Sequence, residues 1–106
     1  MDEQYQIEIP QSFMAIYLRN GRPIETRKTI EDRYDLCEDL ASQTGDACHV
    51  LQFKDDLSEA EVLRRCHASL RDGGIVTPLE ADWVIVRVAE LLQWQRPDLG
   101  PQPANE

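Results

Sequence analysis

The stretch TIEDRYDLCEDLASQTGDACHVLQF, residues 29–53, constrains this chain more than any other part of it. Advancing 100° per residue places Ile30, Tyr34, Cys37, Leu40, Ala41, Thr44, Ala47, Cys48 and Leu51 on one contiguous face. Glu31, Asp35, Glu38, Asp39, Ser42, Asp46 and His49 fall on the opposite face. Such a pattern specifies an amphipathic helix that must lay its apolar stripe against a partner element. Thr29 or a neighbour is the expected N-cap, with Glu31 and Asp32 in the first turn at the positive end of the helix dipole. Gly45 sits inside the run at a cost of about 1 kcal/mol relative to Ala. The stripe keeps its phase across that glycine, so one long helix is expected, bent there if anywhere. Two helices broken at Thr44–Gly45 are the alternative.

Two further helices announce their own starts. In Ser58-Glu59-Ala60-Glu61 the serine hydroxyl can take a first-turn N–H while Glu61 reaches back, the capping-box arrangement. The helix it opens has Val62, Leu63, Cys66 and Leu70 on its core face and stops at Gly73-Gly74. Thr77-Pro78-Leu79-Glu80 is a second capping box, with proline at the first helical position, and its helix is expected to run to about Trp94. Upstream, Phe13, Ile16 and Tyr17 recur at helical spacing after Pro10, which predicts a short helix over about 11–18, with a strand as the alternative. Asn20-Gly21 and Pro23 punctuate a loop after it. The expected fold is all-α: a small bundle of three long helices plus a short N-terminal helix. Residues 1–9 are expected to be a flexible N-terminus, 10–95 a single helical domain, and 96–106 a disordered Pro-rich tail.

Charge narrows the function classes. Acidic residues outnumber basic ones 20 to 11, for a formal net charge of -9. A phosphate-backbone binder needs clustered Lys and Arg, so no nucleic-acid partner is expected, and a protein partner, if basic, is favoured. The longest apolar stretch, Trp83 to Leu92, is interrupted by Arg87 and Glu90, so no membrane partner is expected either. Three cysteines in a chain without a leading signal-type apolar run read as reduced thiols in a cytoplasmic protein.

Two Cys-His dipeptides, Cys48-His49 and Cys66-His67, are the residues most suggestive of chemistry. Adjacent helical positions point about 100° apart, which is poor geometry for two ligands of one ion. Both cysteines lie on apolar faces, where a free thiol packs as a small hydrophobe. Packing is therefore the expected role, with a metal site or a Cys-His nucleophile as alternatives. Phosphate loops, dinucleotide fingerprints, zinc-protease and nucleophile-elbow motifs do not occur in the sequence, so neither enzyme activity nor a cofactor is expected.

The last helix, PLEADWVIVRVAELLQW, is apolar nearly all round. Ala81, Val84, Ile85, Val88, Leu91 and Leu92 form its main arc, and Trp83, Arg87 and Trp94 a second stripe. Either the Phe13–Leu18 segment covers that second stripe, or Trp83, Arg87 and Trp94, with Phe13 and Tyr17 beside them, form a recognition patch. The acidic face of the long helix (Glu31, Asp35, Glu38, Asp39, Asp46) is a second candidate surface, suited to a basic partner.

The blocks RYDLCEDLA, EVLRRCHASL and PLEADWVIVRVAELLQW, in that order, resemble a family of small, uncharacterised proteobacterial helical proteins whose members are often described as ATPases with chaperone activity. The resemblance spans roughly residues 9–94 and implies a bacterial, cytosolic, helical protein, with Cys66-His67 inside one of the family blocks. The expected function is a protein-interaction or regulatory module. The alternatives are a thiol- or metal-responsive regulator, or an accessory factor of a chaperone ATPase without a nucleotide site of its own.

Overall fold

The computed structural model describes residues 8–99. The expected flexible N-terminus falls almost entirely on residues 1–7, and most of the expected disordered tail on 100–106, both outside the described residues. Helix α1 (Gln11–Met14) passes into a 3-10 turn, Ala15–Tyr17. A two-residue hairpin follows, β1 (Leu18–Arg19) and β2 (Arg22–Pro23), with Leu18 opposite Pro23 and Arg19 opposite Arg22. Three longer helices follow: α2 (Arg27–Asp55), α3 (Glu59–Gly73) and α4 (Pro78–Leu92). The all-α bundle of three long helices and a short N-terminal one is therefore the fold.

The hairpin is a departure from the plain loop expected at Asn20-Gly21. Both residues take positive φ, 54° and 77°, the pair that a two-residue turn between antiparallel strands requires. Helix α2 is continuous through Gly45, which lies buried within it. Its cap is Thr26, whose hydroxyl accepts the Thr29 N–H, so the cap lies three residues before Thr29 and Glu31 and Asp32 lie past the first turn.

Thr77 and Glu80 form the full reciprocal capping box at the head of α4. At Ser58 the hydroxyl half forms, but the Glu61 carboxylate turns along its own helix to Arg64 and Arg65. Gly74, at φ 79°, ends α3. Helix α4 stops at Leu92, two residues short of Trp94, because Gln93 adopts the left-handed conformation and turns the chain out of the helix. Residues 94–99 carry no helix or strand, and Leu99 and Trp94 pack half-buried against the core.

The core is built on α4. Ala81, Val84, Ile85, Val88 and Ala89 are buried, and meet Ile30, Cys37, Ala41 and Cys48 of α2 and Val62 and Leu63 of α3. Phe13 enters from α1 and is fully buried. The segment Pro10–Tyr17 thus covers one flank of α4, which is why that helix can be apolar on two sides.

Candidate interaction cleft and the groups around it

Covering is incomplete, and the gap is a cleft of about 550 Å³. Pro10 and Ser12 form one wall, Tyr34 and Glu38 of α2 another, and Asp82, Trp83, Val86 and Arg87 of α4 the floor, with Arg96 and Leu99 of the final segment at the far end. Trp83 is held from behind. Its indole N–H donates to the Ser12 hydroxyl at 3.0 Å, and its ring meets Phe13 and Tyr34 edge-on with centroids 5.1 and 5.8 Å away. Aromatic rings prefer such edge-to-face geometry, so three elements lock the indole in one orientation.

Arg87 lies along the same floor, its guanidinium donating to Glu38 at 3.1 Å and to Glu90 at 3.2 Å. Those carboxylates, Glu38 foremost, raise its already high pKa. The Tyr34 hydroxyl donates to the other oxygen of Glu38 at 2.7 Å. Burial first, and then the Glu38 carboxylate, push Tyr34 up to about 12. Glu38 is thus fixed from two sides at the cleft edge. It also opens outward, for Asp35, Leu36, Glu38, Asp39 and Ser42 line a shallow hollow on the outer face of α2. One carboxylate belongs to both the aromatic cleft and the acidic surface.

Of the expected recognition patch, Trp83 and Arg87 therefore line one cleft, but the other three members do not join them as surface. Phe13 is fully buried, since it is the wedge that fills the space between α1, α2 and α4. Tyr17 packs at a tilt against Phe13, ring centroids 5.7 Å apart, and turns its hydroxyl inward to Glu80. Trp94 lies beyond the end of α4, with its ring 6.4 Å from that of His49 on α2. Within the acidic face, Asp35, Glu38 and Asp39 cluster at the hollow, Asp46 is exposed further along, and Glu31 is paired with Arg27 at 2.9 Å.

Glu80 is the group that sequence reasoning undervalued. Among the described residues it is the one buried charged side chain. Its carboxylate accepts from Tyr17 of the N-terminal segment, from Arg33 Nε at 2.9 Å and Arg33 Nη2 at 2.6 Å, and from the Thr77 N–H at 2.9 Å. Arg33 Nη2 donates in addition to the Ile75 carbonyl in the α3–α4 connection. Burial alone would raise the Glu80 pKa, but Arg33, Tyr17 and the Thr77 amide outweigh it and leave the carboxylate more acidic than usual. The same contact, with burial the larger cause, holds Tyr17 well above the ordinary phenol range. The one sequence signal for this hub was Glu80 in its capping box. Nothing local marks Arg33, which lies 47 residues away.

The Cys-His dipeptides separate as helical phase requires. Cys48 is fully buried and His49 exposed. His67 reaches across to α4, with Nε2 2.6 Å from Asp82 Oδ1. Cys48 and Cys66 point at one another from α2 and α3, sulfur to sulfur at 2.9 Å. Among the described residues no three His, Cys, Asp or Glu side chains gather as a metal site, and no helix is long and apolar enough to cross a membrane. No family model, no curated protein and no solved structure matches the chain.

Proposed function

We propose that this protein is a binding module that uses the Trp83–Arg87 cleft and the acidic hollow beside it to take a basic, amphipathic segment of a partner protein. The single observation that carries the reading is the double membership of Glu38, which makes the aromatic cleft and the hollow of Asp35, Asp39 and Ser42 one continuous surface. An apolar side chain of the partner would rest on Trp83, Tyr34 and Val86, where the rings are preorganised and lose little freedom on binding. Lysine or arginine side chains flanking it would meet Asp35, Asp39 and Glu90. Trp and Arg are the side chains most often energetic at protein interfaces, and this floor offers one of each. The chain's net charge of -9 would steer a basic partner toward it and speed association.

In this reading the protein catalyses no reaction and acts in the bacterial cytoplasm, a location that rests on the family resemblance and on reading its cysteines as reduced thiols. The test is capture from bacterial lysate on immobilised protein. Wild type should retain a basic partner that the double variant Asp35→Lys/Asp39→Lys loses, with Asp46→Lys on the same helix as the control that keeps it. Retention of the same partner by the double variant would refute the assignment.

A further inference from the structure

Cys48 and Cys66 lie 2.9 Å apart, sulfur to sulfur, yet differ in access. Cys48 is fully buried among the core residues of α2, whereas Cys66 is half-buried and lines an apolar groove of about 350 Å³ between α2 and α3. Leu40 and Ala47 form one side of that groove, Leu70 and Val76 the other. A reagent entering from solvent therefore meets Cys66 first and Cys48 only behind it. Disulfide sulfurs sit at about 2.05 Å, so closing this pair needs the two sulfurs to approach by less than about 1 Å.

We propose that Cys66 and Cys48 form an attacking and resolving thiol pair, which a low-molecular-weight disulfide converts reversibly into a covalent bond between α2 and α3. In the first step the Cys66 thiolate attacks one sulfur of the small disulfide. The small S–S bond breaks, a mixed disulfide forms on Cys66, and half of the reagent leaves as a thiolate that takes up a proton. In the second step Cys48 gives up its proton, attacks Cys66 Sγ and expels the other half as a thiol. Two protein thiols lose two electrons, and one small disulfide gains them to become two thiols.

The electrostatics agree with that order. The Cys48 S–H donates to Cys66, which lowers the Cys66 pKa against the opposing effect of burial. Cys48 is raised, because it holds the shared hydrogen bond to Cys66 and is buried. The lowering thus falls on the more exposed sulfur, the one a reagent from solvent reaches first. Cys37 supplies an internal contrast. It is fully buried, burial pushes its thiol up to about 12, and it lies 11 residues from Cys48 on α2, three turns along the helix.

The experiment exposes the full chain to excess glutathione disulfide, quenches with acid, unfolds it and alkylates what remains. Wild type should lose two hydrogens in mass, take one alkyl label in place of three, and recover all three on treatment with dithiothreitol. Cys48→Ala should stop at the first step with one glutathione on Cys66. Cys66→Ser should take no glutathione and close no bond. Trypsin leaves Cys37 and Cys48 in the same fragment, so the Cys37→Ala variant assigns the bond: a fragment of residues 34–54 must be joined to one of residues 66–71. Because that variant leaves the pair intact, the test survives even if Cys48→Ala folds poorly. Three alkylatable thiols in treated wild type, glutathione accumulating without an internal bond, or loss of the cross-link in Cys37→Ala would each overturn the proposal.

Discussion

Replacing Glu80 with glutamine tests the hub that ties four parts of the chain together. The two side chains have nearly the same shape, so Glu80→Gln leaves no cavity, and any loss of stability is electrostatic. The carboxylate is fully buried and accepts from Tyr17, from two nitrogens of Arg33 and from the Thr77 amide. Glutamine offers one accepting oxygen and turns an NH2 toward donors, which leaves part of this set unsatisfied. Removing one partner of a buried ion pair costs about 3–5 kcal/mol. Arg33 is 31% exposed and can recover some hydration, so about 3 kcal/mol is the expected loss. For a domain of this size that lowers Tm by roughly 12 °C.

Urea unfolding followed by circular dichroism gives the loss directly, and a cycle with Arg33→Met isolates the pair. The two single variants should together cost at least about 1 kcal/mol more than the double. The pH dependence supplies an independent sign. Glu80 is more acidic folded than unfolded, so its contribution is present above the unfolded value of about 4.3 and is lost as pH falls through the folded value. Wild type and Glu80→Gln should therefore converge in stability in acid. A loss below about 1 kcal/mol at neutral pH, or a gap that persists in strong acid, would refute the reasoning.

Other expected outcomes follow from single positions. Gly45→Ala should raise stability by about 1 kcal/mol, because the added methyl meets only Leu92 Cδ2 at 3.9 Å and the helix loses its most flexible residue; a fall in the urea midpoint would contradict this. Phe13→Ala should cost about 3–5 kcal/mol and shift Trp83 fluorescence to the red, since the ring is fully buried against that indole. Thr77→Ala removes the hydroxyl that accepts the Glu80 N–H and should cost about 1 kcal/mol by the same unfolding assay.

The long elements were legible because their signals are local. The stripe from Ile30 to Leu51, the Thr77–Glu80 box and the glycines at 73–74 each act over a few residues, and each formed nearly where its pattern lay. Gly45 was harder only because propensity and phase disagreed, and packing on α4 decided for phase. The site was legible in part: Trp83 and Arg87 share a helix face, so their common floor follows from spacing. Phe13 took the covering role, one of the two that its apolar spacing allowed, whereas Trp94 left the stripe because α4 ends at Leu92. The Glu80–Arg33–Tyr17 hub and the meeting of Cys48 with Cys66 depend on how helices are placed side by side. The convergence of Cys48 and Cys66 on one core was nevertheless implied by their apolar phase, whereas Arg33 carried no such mark.

The central claim, that the cleft and the acidic hollow form one binding surface, is tested most directly by nitrogen–proton NMR. The labelled protein is titrated with a synthetic amphipathic lysine–leucine peptide at low and at moderate salt. The predicted result is a saturable set of shifts confined to the Trp83 indole N–H and to backbone amides around Tyr34, Asp35, Glu38, Asp39 and Arg87, weakening as salt screens the carboxylates. Shifts that spread evenly over the acidic surface, or that centre elsewhere while the Trp83 indole stays still, would contradict it.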